Sequence, residues 1–198
     1  MNASVAMNRR SVVARILEQR GDALVVASLG NPTYDVSAVG DDDRNFYVWG
    51  AMGGACMVAL GLALAQPKRQ ILAFAGDGEM LMGMGTFATI GVRAPTNLKI
   101  IVIDNEHYGE TGMQPAHSGR GVDIAGIARA CGIEDSATLR TERELDERLP
   151  GLKRPGLQCL VLKVAAAPEP SSLPPRDGPY LRSRFREAVL GKGRGAHA

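Results

Sequence analysis

Residues 71–105 read ILAFAGDGEMLMGMGTFATIGVRAPTNLKIIVIDN. An apolar run, Ile71 to Ala75, breaks at Gly76-Asp77-Gly78. A helix-length segment follows and leads into a second apolar run, Ile100 to Ile103, which stops at Asp104-Asn105. Two fully apolar runs bracketing a helix predict a βαβ unit in a buried parallel sheet. Open α/β sheets bind ligands at the carboxyl ends of their strands, so this reading sets Asp77 and Asn105 side by side at such an edge. A carboxylate and an amide oxygen, both hard donors, suit Mg²⁺ or Ca²⁺. Gly76 and Gly78 allow close backbone approach, and the amides of Gly78 and Glu79 at the helix start can face a phosphate. A cation beside a helix start implies a diphosphate. The tripeptide taken alone is equally a tight strand-to-helix turn with Asp77 as its cap.

The spacing narrows the choice. Asn105 follows Asp77 by 28 positions at the end of an apolar strand, and this GDG…N arrangement resembles the diphosphate motif of the thiamine diphosphate-dependent enzymes. The resemblance implies that Asp77, Asn105 and the main-chain carbonyl of His107 hold Mg²⁺. It further implies that Gly76, Gly78, Glu79, Tyr108 and Gly109 bound the diphosphate. Upstream, Trp49-Gly50-Ala51-Met52-Gly53 resembles the family segment in which a bulky apolar residue props the cofactor into its bent form. Met52 is then the prop, and the Gly50 carbonyl holds the aminopyrimidine. The resemblance runs over residues 22–165, with its motifs in the family's order.

Length and composition set the outer bounds. A chain of 198 residues, 45% apolar with net charge +2, suits one well-cored α/β domain rather than two. The near-neutral charge gives no reason to expect nucleic acid. Cys56, Cys131 and Cys159 are scattered without a CxxC pair, so neither a disulfide framework nor a zinc site is indicated, and a cytoplasmic protein is the plain expectation. Residues 50–65 carry no charge, yet the run is short and dense in Gly and Ala, so a buried helix fits better than a membrane span. The N-terminus shows no signal-peptide core. The expected fold is α/β, a doubly wound, mostly parallel sheet flanked by helices. Residues 1–165 are expected to form the cofactor domain, and 166–198 a Pro-rich arm with an amphipathic helix.

Other elements fall on either side of the central unit. Helical spacing covers Met7 to Gln19, and Ala23 to Leu29 is the first strand. Its end, Ser28-Leu29-Gly30-Asn31-Pro32, makes Ser28 and Asn31 candidates for diphosphate contact, and an ordinary Asn-Pro turn explains the same residues. Asp41-Asp42-Asp43 reads as a solvated loop, since three consecutive carboxylates cannot converge on one ion. Phe46 to Trp49 is a short strand feeding the Gly50–Gly54 turn and the uncharged helix, which Gln66-Pro67 ends. Met80, Met82 and Met84 suit gap-filling under a helix or a subunit contact. Glu106 to Gly121 has the glycine content of a mobile active-site loop. In the resembled enzymes this loop leans over the reactive carbon, which makes Glu110, His107 and His117 candidates for substrate contact or proton transfer. Asp123 is expected to cap a helix over Ile124–Cys131. Glu142 to Leu149 reads as a charged helix and Leu157 to Val164 as the last strand. In the closing helix, Tyr180 to Leu190, Leu181, Phe185 and Val189 form one stripe with Arg182, Arg184 and Arg186 off it. Residues 191–198 are expected to be disordered.

Members of the resembled family activate their cofactor with a Glu from a second, pyrimidine-binding domain, and no stretch before Met52 is long enough to supply one. The chain therefore resembles the β subunits of split sulfopyruvate and phosphonopyruvate decarboxylases. The resemblance implies a lyase acting on a small anionic 2-oxoacid, inactive alone. It also implies an α subunit that carries the Glu, in an α2β2 or larger assembly. Tyr108 to Gln114 also resembles β subunits of 2-oxoacid:ferredoxin oxidoreductases, which carry iron–sulfur cysteines that are missing here. An acetolactate synthase-like β subunit, a transketolase-like fragment and a non-catalytic cofactor-binding subunit are the other readings. Glu110 and Gly112-Met113 depart from the decarboxylase pattern. A carboxylate there repels an anionic substrate unless Arg120 turns inward.

Overall fold

In the computed structural model residues 6–191 are described. Helix α1 (Arg9–Glu18) leads to strand β1 (Leu24–Ala27), then helix α2 (Asn31–Val39), strand β2 (Asn45–Tyr47) and helix α3 (Ala55–Ala65). The 71–105 unit is strand β3 (Ile71–Gly76), helices α4 (Asp77–Met82) and α5 (Gly85–Arg93), and strand β4 (Leu98–Asp104). Two short strands, β5 (His107–Tyr108) and β6 (Gln114–Pro115), form an antiparallel ribbon inside the glycine-rich loop. Helix α6 (Ile124–Ala130), strand β7 (Asp135–Leu139), helix α7 (Glu142–Arg148), strand β8 (Gln158–Lys163) and helix α8 (Gly178–Leu190) complete the chain.

The main sheet has the order β2-β1-β3-β4-β8-β7, and every neighbouring pair is parallel. The fold is thus the doubly wound α/β arrangement that the apolar runs predict. Alternation along the strands divides the core between two faces. Ile71, Ala73, Ala75, Ile100 and Val102 pack against α3, α5 and α6, while Leu72, Phe74, Ile101 and Ile103 face α1, α2 and α7. The order reverses at β1 and β3, because the chain leaves β1 toward β2 and returns on the other side. That reversal opens a crevice at the carboxyl ends of β1 and β3, the usual ligand position in such sheets.

Several sequence readings change. The helix after Gly76 is two helices, because Gly83 packs on Gly53: a Cβ on Gly83 would lie 2.6 Å from the Gly53 Cα. Asn31-Pro32 starts helix α2 rather than an isolated turn, with the proline in the first turn where its missing N–H costs nothing. Strand β7 lies at the sheet edge, where its Asp, Ser and Thr give no apolar signal. Asp123 holds the N-cap position of α6 but its side chain makes no capping bond. The acidic loop is exposed at Asp41 and Asp43, as expected, but it is also tied down. Asp41 accepts two bonds from Arg184, at 2.5 and 2.8 Å, and one from the Tyr47 hydroxyl at 3.0 Å. Arg184 is consequently buried, not off the apolar stripe, while Leu181 enters the core and Phe185 packs on Phe46. The Pro-rich arm docks on the body: Arg10 bonds the Pro170 carbonyl, Ser37 meets Ser172, and the Trp49 indole bonds the Pro175 carbonyl. Of the tail expected to be disordered, residues 192–198 lie outside the described residues. No helix among the described residues is long and apolar enough to cross a membrane.

Candidate functional site

One cleft gathers the residues singled out at the ends of β1, β3 and β4. Ser28 and Asn31 form one wall, Gly76 to Glu79 the floor, and Asn105, His107 and Glu110 the opposite side, with Met52 at the rim. Gly50 and His117 are not among the lining residues. Gly50 occupies a left-handed turn (φ +72°), and His117 is exposed on a 3₁₀ turn.

Asp77 is the first residue of α4 and is 2% exposed. Among the described residues the donor of a side-chain hydrogen bond to it is Ser118, whose hydroxyl lies 2.6 Å from Oδ2. Burial pushes its carboxyl up to about 6, the Ser118 bond opposes the rise, and the neighbouring Asp104 carboxylate adds to it. A buried carboxylate with a hydroxyl partner and, among the described residues, no Lys or Arg on it is a donor set that calls for a cation. The described residues hold no cluster of three His, Cys, Asp or Glu, so a cation here would draw its further ligands from an amide or a carbonyl. Asn105 answers that need. It is 8% exposed, and its Oδ1 accepts from the His107 amide at 3.0 Å, closing a tight turn through Glu106 at φ +62°. The His107 ring is held by its own turn, Nδ1 lying 2.9 Å from the Asn105 carbonyl oxygen.

The floor is shaped by sterics. A Cβ on Gly78 would collide with the Tyr108 ring, whereas a Cβ on Gly76 would meet only Pro32 Cγ at 3.9 Å. Gly109 lies against Asn31, and Gly30 against the aliphatic part of Glu110, so residues 108–110 sit down on the floor and the β1 loop. Glu110 itself is exposed, and its Oε2 accepts from the Tyr34 hydroxyl at 3.1 Å.

Glu79 serves more than its amide. Its side chain is buried, and a carboxylate oxygen accepts from the Gly76 amide at 3.3 Å. Burial raises its pKa, against the Ser28 hydroxyl and the amides of Gly76, Ala55 and Gly53, all of which favour the ionised form. One side chain thereby braces the β1 loop, the turn before α3 and the β3 loop. Sequence reasoning passed over this brace and over Ser118. Both depend on contacts between distant segments, and Ser118 stood beside His117, which carried the stronger chemical signal.

Comparisons with known proteins agree with the geometry. A family model described as "Thiamine pyrophosphate enzyme, C-terminal TPP binding domain" matches residues 37–156. The chain is 33% identical over 185 residues to the sulfopyruvate decarboxylase subunit beta of Methanocaldococcus jannaschii, covering 91% of this chain and 96% of that one. It is 41% identical over 125 residues to the phosphonopyruvate decarboxylase of Streptomyces viridochromogenes, covering 63% of this chain but 31% of that one. Among solved structures, the benzoylformate decarboxylase of Polynucleobacter necessarius superposes with a TM-score of 0.67 at 20% identity, over 81% of this chain and 34% of that one. That last likeness is one of fold.

Proposed function

The chain belongs to the thiamine pyrophosphate-dependent enzymes through their C-terminal cofactor-binding domain, and from this premise we propose that it is the cofactor-holding β subunit of a split 2-oxoacid decarboxylase. The substrate class is a 3-substituted pyruvate bearing an anion, such as sulfopyruvate or phosphonopyruvate. The observation that carries the reading is the end-to-end match, 96% of its length, to a relative named as a β subunit.

Thiamine diphosphate, when bound, supplies the carbon nucleophile and electron sink that let a 2-oxoacid lose carbon dioxide. The chain's own part is to hold and orient. Asp77, Asn105 and the His107 carbonyl take Mg²⁺, and the buried Asp77 carboxylate exchanges an unfavourable desolvated charge for an ion pair. The small residues Gly78 and Gly109, with Ser28, Asn31 and Tyr108, bound the diphosphate. Met52 supports the ring system from the rim, with Gly50 in the turn before it. His107 and Glu110 stand at the mouth, where Glu110 holds or delivers a proton. Residues up to 165 form the cofactor domain in this reading. The arm from 166 onward fastens the β2 edge through Trp49, Arg184 and Phe185.

A partner α subunit completes the site with the Glu that activates the pyrimidine ring, in a hetero-oligomer. The purified chain alone then binds thiamine diphosphate weakly, only with Mg²⁺, and releases no carbon dioxide from pyruvate, sulfopyruvate or phosphonopyruvate. Together with a pyrimidine-domain subunit it releases carbon dioxide from one of the anionic substrates. Appreciable turnover by the chain alone would refute the split-enzyme reading, and cofactor affinity indifferent to Mg²⁺ would refute the cation assignment.

A further inference from the structure

Strand β8 ends on Lys163, which stands across from Asp104, the last residue of β4, in the parallel register. The Lys163 ammonium lies 2.8 Å from Asp104 Oδ2, 2.6 Å from Glu106 Oε1 and 3.4 Å from the Ser118 carbonyl oxygen. Asp104 and Glu106 are the sequence neighbours of Asn105, and Ser118 is the residue whose hydroxyl donates to Asp77. One side chain therefore touches both flanks of one assigned cation ligand and the residue that fastens another.

The turn it touches is strained. Glu106 is a non-glycine residue in the left-handed region, φ +62°, and such a conformation persists only where its surroundings over-determine it. Three contacts do so: Asp104 Oδ1 accepts from the Glu106 amide (3.1 Å), the Ala116 amide donates to the Glu106 carbonyl (2.7 Å), and Lys163 holds the carboxylate. The charges point the same way. Asp104 is 2% exposed and directly precedes Asn105 in the sequence. Left without Lys163, Asp104 would be an unpaired buried carboxylate beside the cation site and a competing ligand for it. Lys163 lines a separate crevice with Asp123, Thr138 and Arg140, not the cofactor cleft, so it acts through its partners rather than on the cofactor.

We propose that Lys163 is a positioning residue for the cation: by pairing with Asp104 and Glu106 it holds the Asn105–His107 turn in its binding shape and keeps Asp104 out of the ligand set. This rests on the assignment of Asp77, Asn105 and the His107 carbonyl to Mg²⁺ made above.

The test is a Mg²⁺ titration of the full-length chain at fixed thiamine diphosphate, followed by calorimetry and by the emission of Trp49, the one tryptophan of the sequence. Melting temperatures in chelator are recorded alongside. Partners that orient metal ligands typically contribute about 10- to 100-fold in metal affinity. Lys163→Met should raise the half-saturating Mg²⁺ by that factor, and Lys163→Arg should recover most of the loss. Glu106→Gln keeps the Lys163–Asp104 pair, so the chain still folds if Lys163→Met does not. It should raise the Mg²⁺ requirement by about tenfold, the low end of that range, with the chelator melting temperature close to wild type. A Mg²⁺ requirement within twofold of wild type in Glu106→Gln or in folded Lys163→Met would overturn the proposal. So would an equal fall in affinity in Lys163→Arg. A wild-type chain that takes up no thiamine diphosphate with Mg²⁺ would overturn the cofactor reading, and this inference with it.

Discussion

Asp35 and Asp77 are both buried, at 0% and 2% exposure, and burial raises both carboxyls above their ordinary range. Their company separates them. Asp35 in α2 is paired with Arg9 Nη1 at 2.9 Å and with Arg10 Nε at 3.3 Å, both from the first turn of α1. Asp77 has the Ser118 hydroxyl. The first carboxylate is closed: two guanidiniums consume its charge, and its work is to lock one helix to another. The second is open. The Ser118 hydroxyl and the amides at the start of α4 offset part of its desolvation, but among the described residues no Lys or Arg pairs with it, and that open valence, rather than burial as such, marks a binding group.

The sharpest way to break this contrast is to remove each carboxylate in turn. Asp35→Ala leaves two cations without their buried partner and should cost about 3–5 kcal/mol of folding free energy, read by denaturant unfolding. Thiamine diphosphate affinity should be unchanged in whatever fraction stays folded. Asp77→Ala should do the reverse: Mg²⁺-dependent cofactor uptake disappears from calorimetry, and the melting temperature in chelator holds or rises. If Asp77→Ala destabilised the cofactor-free chain as much as Asp35→Ala, the open-valence argument would fail.

A second test sharpens the motif itself. The two glycines of Gly76-Asp77-Gly78 look equivalent on paper, yet only Gly78 has the Tyr108 ring against the place where a Cβ would stand. Gly78→Ala should weaken cofactor binding by about tenfold, roughly 1.4 kcal/mol. Gly76→Ala should cost little, because its φ of −85° suits any residue and its nearest neighbour is 3.9 Å away. Adding Tyr108→Ala to Gly78→Ala separates two causes by equilibrium binding: recovery would mean that the glycine serves the loop, and no recovery that it leaves room for the ligand.

How much of this was legible in the sequence follows the range of the forces involved. The apolar runs 71–75, 100–103 and 157–164 had to be strands because their periodicity is local, and the spacing from Asp77 to Asn105 carried the site. Strand β7 was not legible, since an edge strand with Asp135, Ser136 and Thr138 lacks an apolar run. The break at Gly83 was hidden because its cause is Gly53, thirty positions away. Arg184 looked like one of three solvent-facing arginines, and nothing near it in sequence announced Asp41. Ser118, the Glu79 brace and Lys163 share that character: each is defined by a partner contributed by another strand end.

Arg184 offers a third, smaller test at the β2 edge of the sheet. Its two bonds to Asp41 and the packing of Phe185 on Phe46 fasten α8 to the β2 edge. Arg184→Ala should cost about 2 kcal/mol, the range for losing a hydrogen-bonded charge at a partly buried site. It should also raise amide exchange in 178–190 ahead of the rest of the chain. Uniform exchange would mean that α8 and the sheet open as one unit.

The smallest effect concerns Asp42, which shows what a closed pair is worth near the surface. Its carboxyl is drawn down to about 2, first by the side-chain bonds from Arg44 and against the opposing effect of partial burial. The Arg44 guanidinium lies 2.9 Å from Oδ1 and 2.6 Å from Oδ2. Because the folded-state value lies below the ordinary 3.8 of the unfolded chain, the pair contributes fully above about pH 4. That contribution fades as the pH falls toward 2. The side chains are about 30% exposed, so solvent screens the attraction, and the contribution should stay below about 1 kcal/mol. Asp42→Asn should therefore lower stability slightly at pH 6 and much less near pH 2, and 0.5 M salt should shrink the pH 6 difference further. An equal loss at both pH values would assign the contact to hydrogen bonding without charge, and would place Asp42 with the neutral braces of the fold rather than with Asp35.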